Sequence, residues 1–106
     1  MKIAINRRYG GFQLSDEAMR LFAEKKGMII KKRGDFFYIE EDGHYFNDYL
    51  FSRSDPDLIS VIEELGEKAN TEYSTLGVVE IPDDVNWYIE EYDGWESVHE
   101  VHRSWE

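Results

Sequence analysis

Four groups of residues in this sequence could do chemistry. The first is a pair of isolated cations. Beyond position 33, Arg53, Lys68 and Arg103 are the basic residues, set among twenty carboxylates. In such a field each arginine either pairs with a nearby acid or turns its planar donor fork toward an anion. The second is "NRRYGGF", residues 6–12. Its two glycines precede an apparent helix start and could expose backbone N–H groups to a phosphate. The run lacks the spacing of a dinucleotide or P-loop fingerprint, and Asp16 and Glu17 put negative charge where the phosphate would sit. A sharp strand-to-helix corner is the simpler reading. The third is "HEVH", residues 99–102. It is one residue short of the zincin motif, and on a strand His99 and His102 point to opposite faces, so no metal site is expected. His44, near a turn, reads as exposed. The fourth is the acid set Glu90, Glu91, Glu96 and Glu100. Glu91 facing Glu96 across a hairpin would raise one carboxyl by like-charge repulsion. With no nucleophile and no cysteine, no catalytic set or cofactor is expected.

The elements that must position these residues are legible. "KIAIN", 2–6, reads as a strand with Ile3 and Ile5 on one face. "SDEAMRLFAEKKG" has helix grammar: Ser15 as N-cap, Leu14 stapled to Met19, acids in the first turn, lysines in the last, and Gly27 as the stop. "MII" is expected to be a short strand, and "DFFYIE" and "HYFND" two more, joined through Glu41-Asp42-Gly43. "DPDLISVIEELG" is a second helix, capped by Asp55 with Pro56 at its first position. It ends at Gly66 or runs on to Asn70. Val78–Ile81 is a further strand.

The last two runs make a hairpin closed by Asp93-Gly94, a type I′ loop. That loop sets the register: Tyr92 faces Trp95, Glu91 faces Glu96, Ile89 faces Val98, Tyr88 faces His99 and Trp87 faces Glu100. Val85, Trp87, Ile89, Val98 and His102 share the better core face. Tyr88, Tyr92, Trp95 and His99 form an aromatic surface suited to stacking or to a protein contact.

The expected fold is a single α+β domain over residues 1–106: an antiparallel sheet with two helices packed on one face and a C-terminal β-hairpin. The 106 residues, 42% of them hydrophobic, suffice for one core despite a net charge of −11. No apolar run reaches the ~20 residues of a membrane span, and "MKIAIN" has no signal-peptide core. The charge is split: residues 1–33 carry nine Lys/Arg against three acids, the rest the reverse excess. Either the halves screen each other, or a basic patch and an acidic face serve different partners. The overall charge disfavours nucleic acid.

Three blocks, "KIAIN…YGGFQLS", "RSDPDLISVIEELGEKAN" and "VVEIPDDVNWYIEEYDGWESVHEVHRSW", resemble a family of small, mostly uncharacterised bacteriophage and prophage proteins. The likeness spans the chain apart from roughly residues 28–47. Its pattern maps onto Asn6, Tyr9, Gly10, Gly11, Phe12, Leu14 and Ser15, onto Arg53, Asp55 and Pro56, and onto His102, Arg103 and Trp105. Arg7 and Arg8 fall outside it. The resemblance implies a phage accessory protein in the bacterial cytoplasm and, by analogy, a homo-oligomer. Two functions follow as expectations. One is binding of a small anionic, nucleotide-like ligand by Asn6, Tyr9, Gly10, Gly11, Arg53, Arg103 and Trp105. The other is an acidic module, carried by Glu90, Glu91, Glu96 and Glu100, that blocks a basic host or phage protein by charge mimicry.

Overall fold

A computed structural model describes residues 1–46 and 51–101. The order of elements is β1 (Lys2–Asn6), α1 (Asp16–Lys25), β2 (Ile30–Arg33), β3 (Phe36–Ile39), β4 (Tyr45–Phe46), α2 (Pro56–Leu65), a 3₁₀ turn (Gly66–Ala69), β5 (Leu76–Glu80), β6 (Trp87–Tyr92) and β7 (Trp95–Glu100). The α+β class and the C-terminal hairpin are as expected. The single sheet is not. The described strands form three separate antiparallel ladders: β1 with β5, β2-β3-β4, and β6 with β7. Strands this short leave backbone groups to be satisfied by other means, and that requirement shapes the site below.

Helix α1 forms where its caps and apolar stripe agree. The Ser15 Oγ accepts the Ala18 N–H at 3.1 Å, and Leu14 and Met19 are both buried. Phe22, Ala18 and Ala23 complete its inner face. Helix α2 starts at the Asp55 cap, whose carboxylate accepts the Asp57 N–H at 2.8 Å, and buries Leu58, Ile59, Val61 and Ile62. Burial alone would push the Asp55 carboxyl up. The Lys26 ammonium, 2.7 Å away, and the N–H groups of the first turn outweigh it and hold that carboxyl below its usual range. This ion pair also ties the end of α1 to the start of α2. At Gly66, with φ of 57°, the α-helix passes into the 3₁₀ turn, which ends at Asn70.

The core lies between the helices and the first two ladders. Phe22, Phe46 and Phe51 pack edge-on or tilted at 4.3–6.0 Å, joining α1 to the small three-stranded sheet. In β1, Ile3, Ala4, Ile5 and Asn6 are all buried, so both faces of the strand are covered, not one. Strand β2 begins at Ile30, the last residue of the expected "MII", and Met28 and Ile29 before it are exposed. Strand β5 begins at Leu76, two residues earlier than expected, because it pairs with the whole of β1.

Candidate functional site

The N-terminal glycine corner, Arg53 and the hairpin tip meet at the end of β1. The hairpin has the register that its Asp93-Gly94 loop dictates, from Trp87 opposite Glu100 to Tyr92 opposite Trp95. Asp93 has φ of 49° and Gly94 of 91°, as a type I′ loop requires. The loop docks on the corner: the Gly10 N–H donates to the Asp93 carbonyl at 2.8 Å. The approach is too close for side chains. A methyl on Gly94 would stand 2.4 Å from the Gly10 carbonyl carbon, and one on Gly10 would stand 2.3 Å from the Tyr73 carbonyl oxygen. Gly10 and Gly94 are therefore glycines because three backbone segments touch there. The corner is a joint, and the Gly10 N–H is already used.

Asn6 holds the joint from within. Its side chain donates to the carbonyls of Arg8 (2.8 Å) and Gly94 (2.7 Å) and accepts the Thr75 N–H (2.9 Å). It is fully buried, which corrects its assignment as a ligand-binding residue: its polar atoms are turned inward on the protein's own backbone.

Arg53 and Glu96 complete the arrangement. The guanidinium forks onto the carboxylate, Nη1 to Oε1 at 2.6 Å and Nη2 to Oε2 at 2.8 Å. It stacks over the Phe12 ring at 3.7 Å. The pair also satisfies the edge of β1 that faces away from β5. The Ala4 N–H donates to the Arg53 carbonyl, Arg53 Nη1 donates to the Ala4 carbonyl, and the Asn6 N–H donates to Glu96 Oε1. A buried strand edge without a neighbouring strand would leave costly unpaired groups. Here one arginine and one glutamate supply its donors and acceptors.

This corrects the role expected of Glu96. It is 7% exposed and paired, so it is no surface acid for a partner. A signal for this was in the sequence. The hairpin register puts Glu96 on the face of Ile89 and Val98, and an acid on a core face needs a cation. The other acids divide. Glu91 is exposed but accepts the Gly94 N–H at 2.7 Å within the loop. Glu90 and Glu100 are exposed, on opposite faces of the hairpin. Arg103, Trp105 and His102 lie outside the described residues.

Two hollows flank the joint. The inner one, a cleft of about 840 Å³, runs from Gly10 and Gly11 past Arg53 to Phe36 and Phe37. Asp16, Asp35, Glu91 and Glu96 line it together with that one arginine. The outer one is a shallow groove of about 400 Å³ on the aromatic face of the hairpin, lined by Tyr9, Glu90, Glu91, Tyr92, Trp95 and Ser97. Tyr9 crosses from the corner to join that face, 5.2 Å from Trp95 and 6.5 Å from Tyr92 between ring centroids. Further along, Tyr88 stacks on His99, whose Nε2 sits 2.8 Å from Ser97 Oγ and 3.0 Å from a Glu90 oxygen. Sequence reasoning marked Tyr88, Tyr92 and Trp95 but placed Tyr9 with the anion site.

Among the described residues, no group of three or more histidines and acids is placed to hold a metal ion. No helix there is long and apolar enough to cross a membrane. His44 is exposed beside Asp42. Comparison with models of known families, with curated proteins and with solved structures gives no match to this chain.

Proposed function

We propose that this chain is a non-catalytic interaction module whose acidic surface engages a basic partner protein. In the setting that the sequence resemblance implies, it is a phage accessory protein that occupies a basic site on a host or phage protein in the bacterial cytoplasm. The observation that carries this reading is the commitment of Arg53. Arg53, the one arginine or lysine that lines the cleft among the described residues, is neutralised by a buried carboxylate, and the other charged side chains lining the cleft and the outer groove are acids. A nucleotide-like anion would meet Asp16, Asp35 and Glu91 there, and among the described residues no arginine or lysine other than the paired Arg53 lines the cleft to offset them. Glu90 and the aromatics of the hairpin's outward face suit a protein surface instead, since tyrosine and tryptophan dominate interface energetics.

The test is capture on immobilised protein from bacterial lysate across a salt series. It is run with the natural sequence and with Glu90→Gln/Glu100→Gln. Expected is a basic protein lost between low and high salt and weakened by the double variant. Salt-independent capture, or thermal stabilisation by a member of a nucleotide panel, would overturn the reading.

A further inference from the structure

The outer groove has a chemistry more specific than negative charge. We infer that the hairpin's aromatic face is a receptor for a single arginine side chain of an extended basic segment, with Tyr92 and Trp95 as the stacking surfaces and Glu90 as the anchoring carboxylate. This rests on the interaction-module reading and names what that module recognises.

Exposed aromatics are the first ground. Tyr9 is 61% exposed, Tyr92 72% and Trp95 45%, and they are contiguous. Three large rings left in water side by side mark a contact surface more often than a chance cluster. They are held, not loose. Tyr92 and Trp95 are directly opposed across the tight Asp93-Gly94 loop, and Tyr9 is fixed by the Gly10 N–H bond to that loop. A preformed aromatic surface loses little conformational freedom on binding.

Charge complementarity is the second ground. Glu90 shares the face of Tyr92 and Trp95, because positions two apart on a strand point the same way. Its carboxylate is exposed at the groove wall. Among the described residues, no lysine or arginine lines the groove. The combination of ring faces and a carboxylate suits a cation, which rings attract through their quadrupole. It suits arginine over lysine. A planar guanidinium stacks on a ring while its edge donates to a carboxylate, whereas an ammonium is a compact, strongly hydrated charge. Arg53 shows the same geometry inside the molecule, stacked on Phe12 and forked onto Glu96.

The experiment is an NMR titration of the full chain with octa-arginine and, separately, octa-lysine, at low salt. It follows the Trp95 indole N–H and the Tyr92 amide. Octa-arginine is expected to bind more tightly than octa-lysine and to shift those two signals most. Tyr92→Ala should weaken octa-arginine about two- to fivefold, as expected for one exposed cation–π contact, and should narrow the preference over octa-lysine. Trp95→Ala should do the same. If it fails to fold, Tyr92→Ala, at a ring mostly in water, still decides. Equal affinity for both peptides, unchanged by Tyr92→Ala, would overturn the arginine receptor and leave the acidic module standing. No binding of either peptide would overturn both.

Discussion

Replacing Arg53 with methionine should cripple the fold, and a second substitution should partly repair it. The first change leaves the Glu96 carboxylate 7% exposed with the Asn6 N–H as its remaining donor. Breaking a buried pair by removing one member costs about 3–5 kcal/mol. The surviving Asn6 bond puts the loss near the lower end, roughly 3 kcal/mol. With a urea slope of about 2 kcal/mol per molar, the midpoint should fall by about 1.5 M. Adding Glu96→Gln removes the buried charge yet keeps an oxygen for the Asn6 N–H. It should therefore regain about 1–2 kcal/mol. Urea titrations of the three proteins measure both changes. Should Glu96→Gln add further loss to Arg53→Met, or should Arg53→Met leave the midpoint in place, the pair does not hold the edge of β1.

The remaining expectations concern the joint and the helix caps. Gly94→Ala drives a methyl into the Gly10 backbone and should cost more than about 2 kcal/mol. Gly11→Ala has open space beside it but a φ of 155° that disfavours any side chain, so it should cost roughly 1–3 kcal/mol and less than Gly94→Ala, and thermal melts would rank them. Asn6→Asp replaces two donors with acceptors facing the Arg8 and Gly94 carbonyls. It should lose roughly 3 kcal/mol or fail to fold, read from expression and chemical denaturation. Asp55 has a lowered carboxyl pKa, so the stability it adds is complete above its unfolded value of about 3.9 and is lost as pH falls through the folded value. In Asp55→Asn that acid limb should flatten while the cap survives, which paired urea titrations between pH 2 and 5 would show.

The parts of this structure that sequence reasoning anticipated are those whose causes are local. Ser15, Leu14 and Met19 settle the start of α1 within six residues, and Asp93-Gly94 settles the whole register of the hairpin. What it did not anticipate depends on residues far apart in the chain. The scarcity of cations singled out Arg53, but nothing near it says which of twenty carboxylates it takes. That choice is made 43 residues later, where strand alternation turns Glu96 to the same face as Ile89 and Val98. The missing single sheet has the same origin. β1 has β5 on one edge, and on the other an arginine and a glutamate stand in for a neighbouring strand. These choices also bear on function. With Arg53 and Asn6 consumed in the joint, the residues that looked most like an anion site became the device that fixes the hairpin to the body of the domain. Fixing it is what holds Tyr9 against Trp95 and keeps the outward face in one shape. A binding surface made of two short strands, too small to be stable alone, can be rigid only if its inner face is anchored. The buried ion pair is therefore the condition for the exposed aromatic one.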